Sequence, residues 1–450
     1  MKQEKNPRLL ALKTLMSAEK AGKYINLASD ASINSAVLTE SDTALFTSLV
    51  YGVTERKITL DFIISRMAVK GGAHIEPRVM QILRLGLYQI IYLDKIPVHA
   101  AVNETVALCK NRGEASFVNA ILRNYLRDGK TRVVFPAESE GKTKFLSLTY
   151  SFPEWICASL TADYGYENAK GILDAFCACP PTPTLRINTL LTDKEKYREM
   201  LTQSGVAFSD TGYSHSGVKL CEGTKISELA GFEQGLFFVQ DEASQISTEL
   251  LAPKAGDTVI DVCSCPGSKS FGAAIEMQNK GKLYSFDLHK NKLSLVEKSA
   301  ARLGISIIET AERDARIPDT SLVGCADKVI CDVPCSGFGV MAKKPDIRYK
   351  DEEDVEKLAP LGLEILTKSS QYVKDGGTLL YSTCTLRRAE NEDTVNAFLR
   401  ENHEFSLCPF ELKGKDGYTP DIKSGGMLTL FPHIHKTDGF FIAKLQKKPR

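Results

Sequence analysis

The chain has 450 residues, of which 43% are hydrophobic and 25% are charged. This length exceeds one ordinary hydrophobic core, so we expect two or three domains. The chain has neither a signal-peptide-like opening segment nor an apolar run of about eighteen residues, so we expect a cytoplasmic protein without a membrane partner. The twelve cysteines include no Cys-x-x-Cys pair, so we expect reduced thiols and no bound metal.

The net charge of +1 is unevenly distributed along the chain. Residues 1–135 hold 19 Lys and Arg against 12 Asp and Glu, which leaves the remainder acidic. A basic region is compatible with a nucleic-acid partner, but it is equally compatible with a solvated helical surface. The asymmetry therefore raises RNA binding as a hypothesis without deciding it.

The N-terminal third has the periodicity of helices. Apolar residues recur at spacings of three and four between residues 6 and 128, which predicts an all-α domain over residues 1–135. Gly71-Gly72, Pro77 and Pro97 are the expected turns between its helices.

A linker and a small second module are predicted next. Residues 129–145 are charged and poorly periodic, which is typical of a linker. Pro153 precedes a helical stretch, and the run Pro180–Pro183 precedes an extended segment, Thr184–Asn188. These features predict a small α+β segment that, with the linker, spans residues 136–235.

Apolar strands alternate with helical stretches over residues 236–450. The predicted strands are Thr258–Asp261, Leu283–Asp287, Val329–Asp332 and Thr378–Tyr381. This alternation predicts an α/β, doubly wound, Rossmann-like parallel sheet. In such sheets ligands bind beyond the carboxyl ends of the strands.

The turn after the first of these strands is a candidate cofactor loop. It contains a single glycine, so neither a dinucleotide fingerprint nor a phosphate loop fits. Asp287 ends the next strand, and Asp314 follows a further strand that precedes Val329–Asp332. Carboxylates at such positions can accept ribose hydroxyls. A nucleoside cofactor without phosphates fits this pattern, and S-adenosylmethionine meets that description. The expected cofactor-binding residues are Cys263, Ser264, Cys265, Pro266, Gly267, Ser268, Lys269, Asp287, Asp314 and Asp332.

Two cysteines, Cys335 and Cys384, follow the ends of the predicted strands Val329–Asp332 and Thr378–Tyr381. Either cysteine alone is compatible with core packing, but neighbouring strand ends lie about 5 Å apart, so both thiols can border one pocket. A thiolate that adds to carbon 6 of cytosine makes carbon 5 nucleophilic enough to accept a methyl group. Asp332 can hydrogen-bond the N3 and amine edge of that ring. We therefore expect Cys384, Cys335 and Asp332 to be catalytic.

These motifs resemble those of the RNA cytosine-C5 methyltransferases. The shared patterns are Asp-x-x-x-x-Pro-Gly-x-Lys, Asp-x-Pro-Cys-Ser-Gly and Ser-Thr-Cys, in the same order. The resemblance implies that Cys384 is the nucleophile and that Cys335 helps to release the product. Cys265 and Ser268 stand where that family usually has Ala and Gly.

The N-terminal helices resemble NusB, an RNA-binding helical domain, in Tyr51-Gly52-Val53 and Phe117–Arg123. A NusB-like domain joined to this catalytic half is similar to the bacterial 16S ribosomal RNA cytosine-C5 methyltransferases. That resemblance implies that the substrate is one cytosine of 16S ribosomal RNA, free or in a partly assembled small subunit. We also expect a monomer.

Basic residues beside the cysteine motifs, together with one in the α+β segment, are candidates for phosphate contacts, because a target base must be held out of its stack. The expected RNA-binding residues are Arg186, Lys343, Lys344, Arg348, Arg387 and Arg388. Two alternatives stay open. A transfer-RNA or DNA cytosine methyltransferase is disfavoured by the NusB-like domain, and a non-catalytic RNA-binding assembly factor is disfavoured by the two cysteines and Asp332.

Overall fold

The computed structural model divides the chain into two compact units. It describes residues 5–21, 24–68, 75–178, 182–221, 223–423 and 425–449. Unit 1 comprises Met1–Cys177 with Lys344–Lys350, and unit 2 comprises Ala178–Lys343 with Asp351–Arg450. The predicted turn at Gly71-Gly72 and the prolines Pro180 and Pro181 lie outside the described residues.

The regular elements of unit 1 are helices wherever the structure describes it. They are α1 Pro7–Ala21, α2 Ile25–Ser35, α3 Glu40–Glu55, α4 Lys57–Met67, α5 Pro77–Tyr92, α6 Val98–Val106, α7 Arg112–Arg132, α8 Lys142–Tyr150, α9 Glu154–Tyr164 and α10 Tyr166–Ala178. Local chemistry sets several starts: Thr39 and Asn111 cap α3 and α7 by accepting backbone N–H groups, and Pro77 is the first residue of α5. The all-α prediction is confirmed, whereas the predicted linker is largely helical at both ends.

Helix α5 lies at the centre of unit 1. Ile82, Leu83, Leu85 and Leu87 on this helix are fully buried, and Gly86 allows close packing because a Cβ there would lie 2.9 Å from Thr105 Cγ2. None of the helices in the described ranges is long and apolar enough to cross a membrane.

Unit 2 begins with the predicted α+β segment. It contains β1 Thr184–Ile187, α11 Lys194–Gln203, β2 Phe208–Asp210, β3 Gly217–Leu220 and β4 Phe237–Val239. The strands form an antiparallel sheet in the order β2-β3-β1-β4. Leu185, Tyr197 and Phe237 are fully buried in its core.

The rest of unit 2 surrounds a larger sheet. Its elements are α12 Glu242–Leu251, β5 Thr258–Asp261, α13 Ser268–Glu276, β6 Lys282–Asp287, α14 Lys290–Arg302, β7 Ile308–Glu312, β8 Ala326–Asp332, α15 Glu352–Glu356, α16 Leu358–Ser369, β9 Val373–Thr383, α17 Glu392–Glu401, β10 Phe405–Leu407, β11 Met427–Leu430, α18 Pro432–His435 and β12 Phe440–Lys447. The strand order is β10-β12-β9-β8-β5-β6-β7, with β11 paired to β12.

The sheet is mixed rather than wholly parallel. Strands β5 to β9 pair in parallel, as predicted, but β12 runs antiparallel to β9, β10 and β11. The purely parallel prediction is therefore corrected at this edge. The connection between β11 and β12 contains only the four-residue α18. This connection is too short for the crossover that a parallel pair requires.

The strand order places a crevice beside β5. The chain proceeds from β5 through β6 to β7 on one side and returns to β8 on the other. Ligands bind at such a reversal, beyond the carboxyl ends of the strands. Asp261, Asp332 and Thr383 end β5, β8 and β9 at this edge.

The segment Lys344–Lys350 packs within unit 1 although unit 2 residues precede and follow it. Arg348 is fully buried, and its Nη1 donates to the Glu55 and Ser151 carbonyl oxygens at 2.9 and 3.1 Å. Its guanidinium lies 3.9 Å from the centroid of the Phe152 ring. This arginine therefore satisfies buried carbonyls and stacks on an aromatic ring.

We expect Arg348→Ala to destabilise the protein by about 3 kcal/mol, because the substitution leaves two buried carbonyl groups without a donor. Thermal and urea unfolding of the full chain would measure the loss. Lys344→Ala is the matched control, since Lys344 is exposed in the same segment. Equal stability of the two variants would contradict the structural role of Arg348.

Candidate active site at the carboxyl edge of the sheet

The two cysteines that the sequence singled out are neighbours. Parallel pairing of β8 and β9 sets Asp332 opposite Ser382, and the chains that leave these strands bring Cys335 Sγ to 3.4 Å from Cys384 Sγ. Both side chains are partly exposed. The hydrogen bond with Cys384 and burial raise the pKa of Cys335 well above its usual value.

An ion pair lies beside the thiols. Lys269 Nζ donates to Asp332 Oδ2 at 2.8 Å, and Ser382 Oγ donates to Asp332 Oδ1 at 2.6 Å. Burial acts to lower the pKa of Lys269, but attraction to Asp332 and Cys384 outweighs it and the pKa is raised. A cationic lysine is thus held between a carboxylate and the Cys384 thiol.

Backbone contacts fix the loop of Cys384. Gly339 N donates to the Cys384 carbonyl, and Gly439 N donates to the Gly339 carbonyl, each at 2.9 Å. A Cβ on Gly339 would lie 1.7 Å from Gly439 O, so only glycine permits this crossing of chains. The loops after β8 and β9 are therefore tied to the start of β12.

Glu390 organises the loop of Cys335. Its Oε2 accepts Ser336 N at 2.8 Å, and its carbonyl accepts the Tyr381 hydroxyl at 2.6 Å. Ser336 Oγ also lies 2.6 Å from Thr385 Oγ1. These buried bonds hold the residues that follow the two cysteines against each other.

The candidate cofactor loop connects β5 to α13. Ser264 N donates to Phe286 O at 2.8 Å, whereas the buried Ser264 Oγ has no hydrogen-bond partner within the described residues. Gly267 has a φ of +105°, and a Cβ there would lie 2.4 Å from the Phe271 ring. The loop therefore requires glycine at this position and presents an unsatisfied hydroxyl.

Three acidic residues follow strand ends near this loop. Asp287 accepts Cys265 N at 3.2 Å and His289 N at 3.0 Å, while Asp314 pairs with Arg316 at 2.6 Å. Asp261 accepts the Ser270 hydroxyl at 2.7 Å, and burial raises its pKa to about 7. Asp261 Oδ1 has no hydrogen-bond partner among the residues described.

The thiols of Cys263 and Cys265, within and beside the loop, do not ionise readily. Burial raises the pKa of Cys263 well above its usual value, and burial with the nearby Asp287 raises the pKa of Cys265 to about 12. Ser268 begins α13, where its carbonyl accepts Gln240 Nε2 at 3.2 Å.

The structure corrects three of the six expected RNA contacts. Arg186 is fully buried and pairs with Glu276 at 2.7 Å, Arg348 is buried in unit 1, and Arg387 is buried against Glu356 and Glu390. Their guanidinium groups are buried against acceptors of the protein, so these side chains are not available to phosphates. Lys343 bridges Asp241 and Asp438 at 2.7 Å each. Of the six, Lys344 and Arg388 are exposed.

Sequence reasoning missed several residues that shape the site. Ser382 and Asp261 lie within quoted motifs but received no role, and Glu390 was not recognised as a backbone acceptor for the loop of Cys335. The signal for Ser382 was its place two residues before Cys384 on a buried strand. The partners of Glu390 depend on tertiary contacts, which no local pattern shows.

Three family profiles match consecutive parts of the chain. Residues 5–127 match the NusB family, residues 152–227 match the Methyltr_RsmF/B-like, ferredoxin-like domain, and residues 248–446 match 16S rRNA methyltransferase RsmB/F. These matches follow the order of the helical domain, the small sheet and the larger sheet.

Similar proteins cover nearly the whole chain or about two thirds of it. A probable ribosomal RNA small subunit methyltransferase B of Bacillus subtilis is 38% identical, with 98% of each chain covered. Ribosomal RNA small subunit methyltransferase B of Pectobacterium atrosepticum is 30% identical over 99% of this chain and 100% of its own. A methyltransferase homolog protein from Pyrococcus horikoshii superposes with a TM-score of 0.60 at 27% identity, covering 68% of this chain and 99% of its own. The chain therefore belongs to the RNA methyltransferase family described as 16S rRNA methyltransferase RsmB/F.

Proposed function

We propose that this enzyme transfers a methyl group from S-adenosylmethionine to carbon 5 of one cytosine in 16S ribosomal RNA, through a covalent bond between Cys384 and the base. The observation that carries the proposal is the pair of sulfur atoms 3.4 Å apart beside the Lys269–Asp332 ion pair. The family and the names of the relatives support RNA of the small subunit as the substrate.

The residues around the loop after β5 fit S-adenosylmethionine. The unpartnered Ser264 hydroxyl and the close turn at Gly267 suit a polar ligand that approaches the backbone. Asp287, whose carboxylate already orders two backbone N–H groups, would accept the ribose hydroxyls. When bound, the cofactor supplies an electrophilic methyl group to which the activated carbon 5 bonds.

Cys384 acts as the nucleophile in the proposed mechanism. Its thiolate forms a bond to carbon 6, and the electron pair of the carbon 5–carbon 6 bond makes carbon 5 nucleophilic. After methylation, loss of the carbon 5 proton returns that electron pair to the ring and expels the Cys384 thiolate. We assign Cys335 to this release, because its sulfur adjoins Cys384 and, in its thiolate form, would accept the carbon 5 proton.

Lys269 and Asp332 prepare the site electrostatically. The Lys269 ammonium is attracted to Cys384, and this attraction would favour the thiolate form of the nucleophile. Lys269 and Ser382 orient Asp332. Its carboxylate can therefore accept hydrogen bonds from the exocyclic amine and from a protonated N3 of the base without reorganising. Charge that develops on the ring during thiolate addition is thereby compensated.

The two cysteines should give opposite phenotypes. We expect Cys384→Ala to abolish methyl transfer and any covalent RNA adduct, because the attacking sulfur is lost. We expect Cys335→Ala to form the adduct but release it slowly, so that the complex accumulates on a denaturing gel. Cys221→Ala is the matched control, because this exposed cysteine lies outside the proposed site, so the variant should turn over like the parent and accumulate no adduct.

Normal turnover by Cys335→Ala would refute its part in release. Reversed phenotypes would assign the nucleophile to Cys335 instead. Both results would be read alongside circular dichroism, which confirms that each variant is folded.

Asp287→Asn should weaken the binding of S-adenosylmethionine by about 10- to 100-fold, because hydrogen bonds to a charged acceptor contribute roughly 1.5–3 kcal/mol. Isothermal titration calorimetry without RNA would measure this change. Glu312→Gln, an exposed residue that ends the neighbouring strand, is the control. Unchanged affinity in Asp287→Asn would remove this carboxylate from the proposed cofactor site.

The RNA target can be tested directly. We expect the purified enzyme with S-adenosylmethionine to methylate one cytosine of unmodified 16S ribosomal RNA, free or in partly assembled small subunits. Bisulfite sequencing would detect it as a single protected cytosine. Methylation of transfer RNA alone would overturn the ribosomal assignment, and methylation of neither RNA would support the non-catalytic alternative.

A further inference from the structure

The buried arginines leave open which side chains hold the RNA near the thiols. A loop of residues 413–418 closes on itself, since Gly414 N donates to Tyr418 O at 2.7 Å and Gly417 N donates to Gly414 O at 2.9 Å. The loop rests on the residues before β3, because Lys415 N donates to Gly212 O at 2.8 Å. A Cβ on Gly414 would lie 3.2 Å from Tyr213 Cε1, which shows how closely this ring packs.

An aromatic cluster supports this loop. The ring of the buried His435 lies 5.9 Å from that of Tyr418 and 6.2 Å from those of Tyr213 and Phe431. Burial lowers the pKa of His435 to about 4, so the ring is uncharged near neutral pH. Tyr418 is 44% exposed, so part of its ring is accessible from outside.

Lysines surround the aromatic cluster. Lys219 Nζ donates to Lys436 O at 3.2 Å, and Lys436 Nζ donates to His433 O at 3.0 Å. Lys194 pairs with Asp210 at 2.9 Å, and burial with the adjacent Lys194 lowers the pKa of Lys415. The ammonium groups of Lys194 and Lys415 therefore lie close together.

Carboxylates only partly offset this charge. Asp210 pairs with Lys194 and with Arg198, and Asp416 accepts Tyr418 N at 2.9 Å. Lys219 and Lys436 bond to neutral carbonyl oxygens instead. Glu242 accepts Tyr213 N at 2.5 Å, so the four lysines face three nearby carboxylates, those of Asp210, Glu242 and Asp416.

A short path of contacts connects this surface to the nucleophile. Lys436 precedes by two residues Asp438, which pairs with Lys343 at 2.7 Å. The next residue, Gly439, donates to Gly339 O, and Gly339 donates to Cys384 O. Lys436 therefore lies three residues before the glycine whose contacts lead to the loop of Cys384.

We propose that Lys194, Lys219, Lys415, Lys436, Tyr213 and Tyr418, here called the lysine–tyrosine face, bind the nucleotides that flank the target cytosine. The ammonium groups contact phosphates, and the exposed Tyr418 ring stacks on an unpaired base. This inference rests on the proposed function, because it takes RNA as the substrate. Holding the flanking nucleotides is what keeps one base out of its stack.

The double variant Lys415→Gln/Lys436→Gln tests the phosphate contacts. Each lost contact to single-stranded RNA lowers the slope of log K against log salt by about 0.7, so we expect a decrease of about 1.4. We also expect KM for 16S ribosomal RNA to rise about tenfold while kcat stays unchanged. The matched control is Lys254→Gln/Lys280→Gln, since these exposed lysines precede β5 and β6 at the opposite edge of the sheet.

Tyr418→Ala tests the stacking contact. Loss of one stacked base costs about 1–3 kcal/mol, so we expect RNA affinity to fall at least fivefold. Tyr418→Phe should retain it, because the ring remains. A Tm within a degree or two of the parent would show that these surface substitutions leave the fold intact.

Binding is measured on fluorescein-labelled fragments of 16S ribosomal RNA by using Cys384→Ala as the parent, so that the readout does not depend on chemistry. A salt slope and affinity equal to those of the control pair would overturn the proposed face. Equal loss of heparin binding, together with no effect of Tyr418→Ala, would also overturn it and indicate a general anion surface. If RNA binding depends on the lysine–tyrosine face but the enzyme methylates no RNA, the proposed function is refuted and the face is not.

Discussion

Parallel pairing of β8 with β9 is the constraint on which the site depends. The register sets Asp332 opposite Ser382, so the motifs that follow the two strands leave the sheet side by side. Cys335 and Cys384 are 49 residues apart in the chain, and this pairing brings their sulfur atoms to 3.4 Å. Without it, the two thiols and the Asp332 carboxylate, which belong to separate motifs, would not lie at one site.

The antiparallel strand β12 completes what the parallel strands begin. It pairs with β9 along six residues, from Phe441 to Gln446, and its preceding loop supplies Asp438 and Gly439. Through these residues the loops of both cysteines gain backbone and ionic contacts. The mixed edge of the sheet therefore contributes to positioning the thiols as well as to the core.

Arginine burial changes how positive charge is used in this protein. Arg186, Arg348 and Arg387 satisfy carboxylates or backbone carbonyls inside the fold, where the planar guanidinium can serve several acceptors at once. Lys415 and Lys436 of the proposed lysine–tyrosine face are exposed instead, and their long stems would allow contacts with a flexible RNA backbone. If the lysine–tyrosine face binds RNA as proposed, arginines serve the fold and lysines serve the substrate.

The sequence by itself determined the helical first domain, the α/β alternation, the carboxyl-edge location of both cysteines and the glycine of the cofactor loop. These follow from local rules: apolar periodicity, strand-to-helix turns, and the positive φ that Gly267 requires. Only the tertiary structure decided the antiparallel edge, the Lys269–Asp332–Ser382 contacts and the burial of the arginines. Partners distant in sequence set these features. A motif does not show whether its charged residue faces solvent or a buried carbonyl.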